Sequence, residues 1–153
     1  MIAKAATISH GGNTVRYSVN KDKAEIVKVN FLPDDISAEA MYQRMVLKQK
    51  EFASTINKGR PLKRNVIRME ISPTKEESAG WTLADWVRLA NEYIQVFDSI
   101  DLSKKAKRAS AKSTNVKNSQ YVVALHHDAK SGIPHLHIDV NRVDTVSYTH
   151  LTL

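Results

Sequence analysis

The sequence predicts an α+β fold: an antiparallel sheet of about five strands with two long helices packed on one face. Three observations predict it. Five short segments are rich in β-branched and aromatic residues and bounded by Gly, Pro, Asn or Asp. Two longer segments repeat apolar residues at helical spacing, which gives a sheet the cover it needs. The last two strand candidates are joined by turn chemistry, as in a hairpin.

Taken in order, Ile2 to Ser9 reads as a first strand, broken by a turn at His10, Gly11 and Gly12. Asn13 is placed to cap a short helical segment, Thr14 to Val19, which carries Tyr17. Ala24 to Phe31 is the second strand, ended by Pro33 and two aspartates. Ser37 then opens a helix whose buried stripe is Met41, Met45, Phe52 and Ile56. These methionines read as core. Asn65 to Ser72 alternates as a central strand and stops at Pro73. Thr82 caps the second long helix, with Asp85 completing a capping box. Its broad apolar face is Leu83, Trp86, Val87, Ala90, Tyr93, Ile94, Phe97 and Ile100, so both tryptophans belong to packing. Tyr121 to Leu125 and His135 to Val140 are the final strands, with Gly132 and Pro134 between them.

Composition narrows the class. The 153 residues suit one domain, and Lys and Arg outnumber Asp and Glu by 23 to 16 for a net charge of +7, which favours an anionic partner, nucleic acid above all. The chain has no Cys, so a disulfide framework and thiolate metal sites are excluded and histidines and carboxylates must carry any metal. The expected location is cytoplasmic, with no membrane partner: no signal peptide and no membrane-spanning stretch is legible. Residues 1–145 read as one domain, incomplete at its C-terminal end, and 146–153 (VSYTHLTL) as a truncation scar or foreign tail whose His150 is set aside.

Chemistry concentrates in Tyr121 to Arg142, which holds four of the six histidines. Side chains alternate along a strand, so His135 and His137 emerge on one face and Leu136 and Ile138 on the other. A third imidazole from the neighbouring strand completes a three-nitrogen site with open positions, the pattern of a catalytic metal. Alternation alone leaves His126 and His127 both open for that place, because the hairpin register is unknown. The spacing names a site and not a reaction. Ser103 to Ser119 carries six basic residues and no acidic one. Lys104, Lys105, Lys107, Arg108 and Lys112 either cover a solvated loop or line a groove for phosphates.

Three segments, IAKAATISHGGNTVRYSVNKDKAEIVKVNFL, EISPTKEESAGWTLADWVRLANEYIQVF and HHDAKSGIPHLHIDVNR, in that order resemble the nuclease domain of plasmid mobilisation relaxases. These are the H-u-H tyrosine endonucleases, u being apolar. The closing motif of the family, His, Asp, a turn, Pro, H-x-H and then Asn, falls on His127, Asp128, Pro134, His135, His137 and Asn141. The resemblance runs from Met1 to about Asp144.

The resemblance implies a relaxase-like palm and a reaction. Tyr17 would attack a phosphodiester of single-stranded DNA at a transfer origin and keep the 5′ end as a phosphotyrosine. On its own, Tyr17 would read as an ordinary half-buried aromatic. His127, favoured over His126 by the H-D pairing and its spacing to His135, would join His135 and His137 around a divalent metal. The family is associated with Mg or Mn, whereas three imidazoles also suit Zn or Ni. Glu70 either receives the outer N–H of a ligand histidine or faces solvent; Asp128 and Asn141 would support the site, and Ser72 and Arg142 would touch DNA. Relaxosome accessory proteins are implied partners. A rolling-circle initiator or single-strand transposase is the nearest rival, but those generally place the tyrosine after the histidine pair. A non-catalytic nucleic-acid-binding domain and a hydrolase of small phosphoesters are rivals from other classes.

Overall fold

A computed structural model describes residues 1–55, 58–102, 113–127 and 130–145. In chain order these form β1 (Ile2–Ile8), α1 (Gly11–Asn20), β2 (Glu25–Asn30), α2 (Ala38–Thr55), β3 (Val66–Ser72), α3 (Leu83–Ser99), β4 (Ser119–His126) and β5 (His135–Asp144), with a 3-10 turn at Val116–Asn118 before β4. Among the described residues no helix is long and apolar enough to cross a membrane.

The five strands make one sheet in the order β1-β3-β5-β4-β2, every neighbouring pair antiparallel. The expected α+β sheet is present, and β5 is its centre. Both flanks of β5 are hydrogen-bonded, to β3 and to β4, so its eight residues from Leu136 to Val143 are nearly all buried.

The helices divide between the two faces of the sheet and do not share one. Ile67, Met69, Ile71, Val123, Leu125, Leu136 and Ile138 form a core with Trp86, Ala90 and Ile94 of α3. Val66 and Val122, one residue out of phase, pack instead with Val15 of α1 and with Ala38, Met41 and Met45 of α2. Since successive strand residues point to opposite faces, Val122 and Val123 must face opposite ways, and both are fully buried. A sheet apolar on both sides needs cover on both.

The helix ends follow the sequence closely in two cases. The Ala40 N–H donates to Ser37 Oγ at 3.1 Å, which opens α2, and the Thr82 N–H donates to Asp85 Oδ2 at 2.8 Å in the capping box of α3. The stripe of α2 is buried at Met41, Met45 and Phe52, while Ile56 lies outside the described residues. On α3 the apolar face is narrower than expected: Leu83 and Ile100, at its two ends, are exposed. Trp81 and Trp86 pack edge to face with centroids 4.9 Å apart.

α1 begins at Gly11, with His10 at its N-cap, so both glycines lie inside the helix and not in a turn ahead of it. Close approach explains the residue type. A Cβ on Gly11 would stand 2.5 Å from Val66 Cγ2, 2.8 Å from the Tyr42 ring and 2.9 Å from Asn65 Oδ1. Tyr42 and Asn65 are tied together, since Asn65 Nδ2 donates to Tyr42 Oη at 2.9 Å. Gly11→Ala is therefore expected to destabilise the fold by about 1–3 kcal/mol, as overpacking does, despite the better helix propensity of Ala. Chemical denaturation of the variant beside the unaltered chain measures this, and equal stabilities would refute it.

Candidate active site

β5 projects His135 and His137 onto the face covered by α1 and α2, and the register of its neighbours decides what joins them. On β4, His126 stands directly opposite His135 and Ala124 opposite His137; on β3, Glu70 stands opposite His137. Residues paired across antiparallel strands point to the same face. The third imidazole of the cluster is therefore His126, and the structure departs here from the expectation of His127. One nitrogen from each of His126, His135 and His137 lies within 4.8 Å of the others. Ring centroids are 4.1 Å apart for His126 and His137, 4.9 Å for His135 and His137, and 5.4 Å for His126 and His135. His127 follows the end of β4, and its Nε2 sits 3.2 Å from Glu25 Oε2 on the exposed edge strand.

Two contacts support the rings from outside. His126 Nε2 is 2.8 Å from the Ser18 carbonyl of α1. A carbonyl only accepts, so Nε2 carries the proton and Nδ1 the lone pair. Glu70 Oε1 is 3.8 Å from His137 Nδ1, an electrostatic contact longer than a hydrogen bond. Arg68 Nε, 3.7 Å away, shares the same carboxylate oxygen. The donor set fits a divalent cation: three imidazoles on adjacent strands, with a carboxylate and a carbonyl beside them.

Tyr17 lies on α1 above this cluster. Its ring centroid is 5.6 Å from that of His126 and 5.8 Å from that of His137, edge to face in both cases, and the residue is 48% exposed. The flank of α1 beside it, Thr14, Val15 and Ser18, is buried. The helix thus seats Tyr17 with one edge on the histidines and the other open to solvent.

Other expected residues fall elsewhere. Asn141 is fully buried and belongs to a network of amides under α2, not to the histidine cluster. Its Nδ2 donates to the Met45 carbonyl at 3.1 Å and to Gln120 Oε1 at 3.0 Å, and its Oδ1 accepts from Gln49 Nε2 at 3.1 Å. Arg142 Nη1 donates to the Arg64 carbonyl at 3.0 Å, near the far end of β5 from the histidines. Ser72 is half-buried and shares the face of Glu70 by alternation, at the end of β3. Asp128, Lys104, Lys105, Lys107, Arg108, Lys112 and the 146–153 tail lie outside the described residues.

Sequence reading passed over Asp139, one pleat beyond His137 on the same face and fully buried. Burial raises its carboxyl from the ordinary 3.8 to about 7, opposed by the Ser18 hydroxyl and the Arg68 charge. The folded chain keeps this proton up to about pH 7, whereas the unfolded chain gives it up near 3.8. The stability it contributes is complete below the lower value, falls as pH rises between the two, and is flat above the upper one. With chelator present, Asp139→Asn is expected to gain on the unaltered chain between pH 5 and pH 8, by on the order of 2 kcal/mol. Denaturant melts at both pH values test it; a difference that stays constant would refute it.

A search of curated proteins and a search of solved structures each found no match. A scan against protein-family models matches residues 14–152 to the relaxase family, MobA/VirD2-like, nuclease domain. That span holds Tyr17 and all three clustered histidines, and it covers most of the sequence. With an antiparallel palm, three converging imidazoles and this match in agreement, the chain belongs to the MobA/VirD2-like relaxases and carries their nuclease domain.

Proposed function

We propose that the chain cuts single-stranded DNA at a specific site, a transfer origin used in conjugative mobilisation, through a covalent bond to Tyr17. The observation that carries this reading is the seat of Tyr17 against His126 and His137, with the other edge of its ring open to an incoming strand. His126, His135 and His137 would hold a divalent cation, which when bound polarises the scissile phosphate and offsets charge in the transition state. Magnesium or manganese suits a site completed by phosphate and water oxygens, and zinc or nickel suits the imidazoles themselves.

The chain's own residues do the rest. The Tyr17 oxygen attacks phosphorus, the bond to the 3′ oxygen breaks, and the 5′ end stays on the protein as a phosphotyrosine. The reverse of these steps rejoins a strand. Glu70 orients His137, and the Ser18 carbonyl orients His126 and so couples the cation site to the helix that bears the nucleophile. Ser72 and the basic segment around Lys104, Lys105, Lys107, Arg108 and Lys112 would contact the strand, which accessory proteins of the relaxosome would expose.

The test is incubation with 3′-labelled single-stranded DNA of random sequence and manganese, followed by a denaturing gel. A labelled species of protein size that resists denaturation supports the reading. Cleavage without such a species, or turnover of a small chromogenic diester alone, would sink it.

A further inference from the structure

Tyr17 has a cationic neighbour. Lys21 follows the last residue of α1, and its Nζ donates to Tyr17 Oη at 3.0 Å while standing 4.6 Å from the ring centroid. The spacing of four residues returns its side chain over one helical turn. Arg16, on the same side of α1, is directed elsewhere: its Nε lies 3.2 Å from Glu39 Oε1 and its Nη1 donates to Asn13 Oδ1 at 3.2 Å. Asn13, Arg16, Tyr17, Asn20 and Lys21 together line an open recess of about 370 Å³. Of these, Lys21 donates to the phenol oxygen, the atom that must bond to phosphorus.

We propose that Lys21 is a further catalytic residue, whose ammonium holds the Tyr17 oxygen for attack and stabilises the charge that gathers on it in both directions of the reaction. The inference rests on the reading of Tyr17 given above. A phosphodiester is an anion, and bringing a second oxygen with growing negative charge against it is costly. A fixed ammonium at that oxygen offsets the repulsion at the reacting atom itself. In the forward step Tyr17 gives its proton to water, its oxygen bonds to phosphorus, the bond from phosphorus to the 3′ oxygen breaks, and that oxygen takes a proton from water. In reverse the phenol oxygen leaves against the same ammonium. Lys21 donates a hydrogen bond throughout and loses no proton.

The experiment compares the unaltered chain, Lys21→Met and Lys21→Arg on an oligonucleotide recovered from the covalent species of the random pool. Single-turnover adduct formation is measured at saturating DNA, with affinity measured separately. Lys21→Met is expected to slow the covalent step roughly 10- to 100-fold, the effect of one charge-assisted hydrogen bond at a reacting atom, with affinity within about threefold. Lys21→Arg is expected to recover most of the rate. A substrate with sulfur in place of the 3′ bridging oxygen, which leaves more readily, is expected not to rescue Lys21→Met, because Lys21 acts on the attacking oxygen. An unchanged rate, a loss confined to affinity, or rescue by the sulfur substrate would each overturn the proposal. If the unaltered chain forms no adduct, the reading of Tyr17 fails and Lys21's role with it; adduct formed equally well by Lys21→Met removes Lys21 alone.

Discussion

Tyr17→Phe is expected to abolish the covalent protein–DNA species while leaving affinity for single-stranded DNA within about threefold. The loss in rate should reach at least roughly 10⁴-fold, the scale on which removing a nucleophile acts when nothing else can replace it. Phenylalanine keeps the ring that packs edge to face on His126 and His137 and removes only an oxygen held by Lys21. Because the side chain is about half exposed, stability should change by no more than about 0.5 kcal/mol. Adduct on a denaturing gel, affinity by fluorescence anisotropy and a thermal melt make the measurement. Adduct that survives the substitution would assign the nucleophile to another residue, whereas a loss of affinity equal to the loss of rate would make Tyr17 a binding group.

The second large effect separates two adjacent histidines. His126→Gln is expected to weaken manganese or nickel binding by about 100-fold or more and to reduce nicking in parallel, while His127→Gln leaves both within about threefold. Removing even an outer support of a metal site costs roughly 10- to 100-fold, and a lone-pair donor lost from a set of three costs more. Glutamine is chosen because its amide can still donate to the Ser18 carbonyl that His126 Nε2 meets, so α1 keeps its anchor. His127, paired with Glu25 at the sheet edge, has no part in the cluster. Titration calorimetry with each metal reads the outcome. Metal binding that fails in the His127 variant and survives in the His126 variant would reverse the assignment.

How far the sequence reveals this arrangement depends on what each feature requires. Strands announce themselves through local alternation, so the five segments and the shared face of His135 and His137 are legible without knowing any partner. His126 is a different case. Choosing it over His127 takes the cross-strand register, which pairs His126 with His135, whereas motif spacing alone points to its neighbour. The division of helices between faces left a sign that is easy to underuse: Tyr121 to Leu125 is apolar without interruption, as a strand covered on both sides should be. Gly11 and Gly12 read as a turn because glycine's conformational freedom is the usual reason for it; here its small size lets α1 approach Val66 and Tyr42. Asn141 was legible as important but not as an anchor for α2, since its partners Gln49, Gln120 and Met45 come from distant parts of the chain. Lys21 follows Tyr17 at a spacing that many surface lysines share, and its meaning emerges only beside the phenol oxygen.

The placement of β1 and β2 at opposite margins of the sheet bears on how the molecule comes into being. α1 joins them, so the segment that bears Tyr17 bridges from one margin to the other over the histidines. β1 can dock only on β3, and β2 only on β4, while β5 must slide between those two before either half has its full set of neighbours. Such pairings between distant parts of a chain form slowly. During synthesis α1 emerges well before β4 and β5, so it has no histidines to rest on until that hairpin is made. A partly translated chain therefore has Tyr17 but no histidine cluster beneath it until β5 is made.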